Sequence, residues 1–63
     1  MRPTITHDGL AAARLVRLRH QERLSRREAA EFRLVGAERA YRHWAQRAAR
    51  LRHRIEQAED RER

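Results

Sequence analysis

At 63 residues the chain has room for one small domain, and with 40% charged and 5% aromatic residues it has little to bury. Sixteen basic residues, every one arginine, against nine acidic ones give a net charge of +7, a field that attracts nucleic acid, acidic protein surfaces or anionic lipid. The absence of cysteine excludes a disulfide framework and a thiolate metal site. No stretch is apolar for long enough to span a bilayer, and Met1–Thr6 lacks the apolar core of a signal peptide, so a cytoplasmic location without membrane contact is expected.

Residues 1–8 read as a tail that ends in a cap, because Thr6 or Asp8 offers a side-chain oxygen to the free amides of a first helical turn. Residues 9–35 read as a first helix. A series averaging 3.5 residues, Ala11, Leu15, Leu18, Glu22, Ser25, Ala29 and Phe32, marks one side of it, with Glu22 and Ser25 as polar interruptions. Ser25-Arg26-Arg27-Glu28 has the spacing of a capping box, which leaves open a short helix ending at Leu24 and a long one from Arg26 to about residue 60.

Gly36 is the other candidate turn, since glycine takes the left-handed conformation that ends helices, and it would split the chain into two arms of similar length. Ala37 after it is a poor N-cap, and a single helix running through Gly36 is the third alternative. Residues 37–60 form the second arm, whose seam is Ala37, Tyr41, Trp44, Ala48, Leu51, Ile55 and Ala58. Residues 61–63 have no apolar anchor and are expected to fray. The fold class that follows is all-α, a two-helix antiparallel hairpin. So small a core favours pairing into a four-helix bundle, with Leu15, Leu18, Phe32, Tyr41, Trp44, Leu51 and Ile55 as the core or dimer seam.

The run Leu24-Ser25-Arg26-Arg27-Glu28-Ala29-Ala30-Glu31, followed by Arg42-His43-Trp44, resembles the helix-turn-helix of MerR-type regulators and phage excisionases. That resemblance implies DNA binding through a second, recognition helix. It covers a third of the chain and departs from the family pattern in the turn, which reads Leu34-Val35-Gly36-Ala37, and in the tryptophan, which falls one residue late. A slip of one residue rotates a helix face by about 100°. No family site residue is therefore carried over. In size and plan the hairpin is similar to the plasmid RNA-binding protein Rop, without any of its motifs.

Residues 14–27 and 38–54 are each dense in arginine and carry one acidic residue up to position 27 and one at Glu38. A fold at Gly36 would bring the two stretches alongside each other. Arg14, Arg17, Arg23, Arg42, Arg47, Arg50 and Arg54 then form a basic belt suited to carboxylate or phosphate. His7, His20, His43 and His53 have no i,i+3 or i,i+4 pairing, so neither a metal nor a cofactor is expected. Ser25 is the only serine and has no evident base, so no catalytic residue is assigned and the chain reads as non-enzymatic. The expected function is that of a small regulatory adaptor, a homodimer that binds an acidic surface or groove on another protein, as accessory proteins of phages and plasmids do. Nucleic acid bound through the belt is the alternative.

Overall fold

The computed structural model describes residues 7–61 and consists of two helices, α1 (His7–Leu34, 28 residues) and α2 (Glu38–Arg61, 24 residues). No proline or glycine interrupts the chain between Leu10 and Val35, and good helix formers (Ala, Leu, Arg, Glu, Gln) fill most of it. Thr6, one of the two expected caps, lies outside the described residues, as do residues 62–63; Asp8 falls inside α1 and does not precede it. At the other end, Arg61 belongs to α2.

The chain turns at Gly36, whose φ of 76° is the only positive value among the described residues. The Ala37 N–H donates to the Phe32 carbonyl at 3.0 Å, and the Gly36 N–H donates to the Arg33 carbonyl at 3.3 Å. These two bonds form a Schellman motif, which ends α1 by satisfying carbonyls that have no partner further along the helix. Val35 sits in this turn and not in the first helix. Ala37 closes one helix and opens the next, because its own carbonyl accepts the Tyr41 N–H at 2.9 Å. It has no side-chain oxygen for the free amides of α2. Glu38 in the first turn compensates in part, by placing a carboxylate at the positive end of the helix dipole.

Both alternatives, the turn at Ser25 and the single helix through Gly36, are thereby ruled out. Ser25 stands in the middle of α1 at 2% exposure, so Ser25-Arg26-Arg27-Glu28 is ordinary helix interior. The helix-turn-helix expectation fails for a related reason. Leu24 through Glu31 belong to one long helix, and α2 folds back antiparallel along it: Arg19 reaches Glu59 and Arg52 reaches Glu22 across the pair. The molecule measures 53 × 25 × 12 Å, a slab one helix thick.

The two seams face each other within one chain. Leu15 and Ala29 from α1 and Ala48, Leu51 and Ile55 from α2 are buried, with Ile55 fully so. Leu18, Phe32, Tyr41 and Trp44 are half-buried. Glu22 and Ser25, the interruptions in the sequence series, are buried as well and complete the α1 side of the interface. Glu22 is tolerated there because its carboxylate meets Arg26 at 2.9 Å and Arg52 at 3.9 Å, so a buried charge keeps its counter-charges. No buried side-chain polar atom among the described residues lacks a hydrogen-bond partner.

Candidate binding faces

A helical hairpin with one interior seam has two broad flanks, and the helix repeat divides the arginines between them. On the first flank, Arg26, Ala29, Ala30 and Arg33 from α1 and Tyr41, Ala45, Ala48, Ala49, Arg52, His53 and Glu56 from α2 line an open groove of about 630 Å³. Its floor is alanine, and charged side chains make its rim. Arg33 closes the turn end, with its guanidinium carbon 5.9 Å from the Tyr41 ring centroid.

Ion pairs concentrate on this flank. Arg19 meets Glu59 at 3.9 Å, Arg42 meets Glu38 at 2.9 Å, Arg52 meets Glu56 at 3.3 Å, and Arg26 and Arg52 share Glu22. Arg27–Glu31 at 3.6 Å, on the outer side of α1, is the only other pair among the described residues. Apart from the pairs to buried Glu22, these side chains are well exposed, so each of the other pairs stabilises the fold by no more than about 1 kcal/mol. Their larger effect is to offset most of the positive charge of this flank.

The opposite flank carries Arg14, Arg17, Gln21 and Leu24 from α1 and His43, Arg47, Arg50 and Arg54 from α2. None of these five arginines has an ion pair with another described residue. Glu28 is the one carboxylate at the flank's turn end, while the body of the face is basic. Arg47 lies over Trp44 with its guanidinium carbon 5.8 Å from the ring centroid, and His43 meets the same ring edge-on with centroids 5.3 Å apart. Leu24 is 48% exposed on this face.

The expected belt thus separates. Arg14, Arg17, Arg47, Arg50 and Arg54 share one face, whereas Arg23 and Arg42 point to the groove side, where Arg42 is held by Glu38. The aromatic seam residues stand at the borders of the flanks, Tyr41 on the groove and Trp44 towards the arginine face. Burial of Ser25 within α1 removes the one serine hydroxyl from solvent. Among the described residues, no three His, Asp or Glu side chains lie together in a way that would hold a metal ion. No described helix is long and apolar enough to cross a membrane. What the sequence did not disclose is the difference between the flanks, since local spacing gives each arginine's direction but not which carboxylate on the other helix will meet it. No protein-family model matches the chain, and neither the curated proteins nor the solved structures contain a match to it.

Proposed function

We propose that the protein is a small non-enzymatic regulatory adaptor that docks its arginine face on an acidic surface of a partner protein. The observation that supports this most is the gathering, on one flank, of five arginines with no ion pair to another described residue, beside the Trp44–Arg47–His43 cluster and the exposed Leu24. Tryptophan and arginine dominate binding energies at protein interfaces, and an aliphatic anchor among cations suits a protein surface better than a run of phosphates. In this reading the adaptor works as a homodimer, two hairpins making one four-helix bundle, because the core of a single hairpin is small.

Nucleic acid is the second reading, supported by the same uncompensated charge. Affinity capture from the native host with identification of the bound protein, run beside a salt titration against generic duplex DNA and RNA, separates the two. The adaptor reading expects one recurrent partner, and nucleic-acid affinity no better than that of any basic peptide. Binding to duplex tighter than about micromolar at physiological salt, with a log–log slope of several counterions, would replace it with the second.

A further inference from the structure

The hairpin leaves two flanks unpaired, and their charges differ in a way that decides which of them a second copy can cover. Five arginines on one flank, none paired with a carboxylate among the described residues, repel the same flank of another molecule. On the groove flank the pairs to Glu22, Glu38, Glu56 and Glu59 remove most of that repulsion. Its alanine floor lets another helix approach closely.

Within the groove flank the two helices are unlike. The α1 rim is basic throughout, with Arg19, Arg23, Arg26 and Arg33 and no exposed carboxylate. The α2 rim holds the flank's three exposed carboxylates, Glu38, Glu56 and Glu59, against two arginines, Arg42 and Arg52, so it is the less basic of the two. Two such faces meet about a two-fold axis lying in their interface, and the axis has two limiting directions. Perpendicular to the helices, it sets α1 on α1, arginine against arginine. Parallel to them, it sets α1 of each copy on α2 of the other, the basic rim against the rim that holds the carboxylates; every helix is antiparallel to both of its neighbours in either case, so charge decides between them.

We propose that two copies pair through the alanine-floored groove about an axis parallel to the helices, with α1 of each copy against α2 of the other. This rests on the homodimer stated above and assigns its surface. The seam residues stay inside each hairpin, and the interface is made by Ala30, Ala45 and Ala49 with charged side chains around them. The two arginine faces are then left on opposite outer surfaces of the bundle, so that one dimer presents two identical docking sites and can bridge two acidic partners.

Sedimentation of the full chain, alone, tests the assignment. The parent should sediment at twice the 7.6 kDa chain mass across a concentration series. Ala45→Arg combined with Ala49→Arg, which fills the groove with a good helix former, should sediment as a monomer with its helical circular dichroism retained. Arg50→Glu combined with Arg54→Glu, on the other flank, should remain dimeric. Orientation is read by cross-linking, for which the absence of native cysteine is convenient. An equal mixture of Ala30→Cys and Ala45→Cys chains should oxidise mainly to the mixed disulfide, and this readout holds even if the double arginine variant fails to fold. A monomeric parent overturns the homodimer itself. A dimer indifferent to the groove variant overturns only the choice of surface, and a predominance of Ala30–Ala30 disulfide overturns the orientation.

Discussion

Gly36 is where one residue decides the architecture. Its φ of 76° costs a residue with a Cβ about 1–2 kcal/mol, and a methyl group there would meet no atom within 4 Å, so backbone conformation is the whole penalty. Gly36→Ala should therefore lower the melting temperature without changing helical content; a higher melting temperature would mean that the chain prefers to run straight through. Glu22 poses a different residue-level question, because its side chain is 8% exposed while its partners Arg26 and Arg52 reach solvent. Removing the carboxylate strands no buried cation. Glu22→Leu should then be neutral or stabilising by about 1–2 kcal/mol, since an apolar side chain extends the seam and replaces an ion pair that loses solvation. Chemical denaturation of the two proteins compares them directly. A loss of more than about 3 kcal/mol would show that the ion network contributes more than its exposed partners suggest.

At the scale of the helices, the weak point is the start of α2. Ala37 occupies the N-cap with no oxygen to offer, and its side chain is not fully buried, so Ala37→Ser should stabilise the hairpin by about 0.5–2 kcal/mol. An unchanged melting curve would mean that Glu38 already satisfies the first turn. The strong point is the α2 seam, where Leu51 is buried, and Leu51→Ala should cost about 2–5 kcal/mol and expose the hairpin to proteolysis. Both helices and their facing sides were legible in the sequence because a 3.5-residue spacing defines a stripe whatever residues occupy it. That is why Glu22 and Ser25 hold their places in the stripe despite their polarity. The choice of turn was less legible. Ser25-Arg26-Arg27-Glu28 satisfies capping spacing equally well inside a helix, and the left-handed Gly36 together with burial of the α2 seam in the antiparallel pair decides against it.

For the molecule as a whole, the seams expected to join two hairpins are spent inside one, which leaves the flanks to make external contacts. Sequence order showed that arginines crowd the two arms, but Arg23 and Arg42 could be separated from Arg14, Arg17, Arg47, Arg50 and Arg54 only once both helices were placed side by side. Function, in this account, depends on that division of charge. The most direct test compares two double reversals in one capture experiment from the native host. Arg50→Glu with Arg54→Glu alters the arginine face, and Arg27→Glu with Arg39→Glu alters the outer sides of the two helices, away from both flanks, by the same net charge. If the arginine face is the docking surface, the partner recovered with the parent is also recovered with the outer-side reversal and is lost with the arginine-face reversal. Equal loss from both variants would contradict the account, because binding would then follow total charge and not the face that carries it.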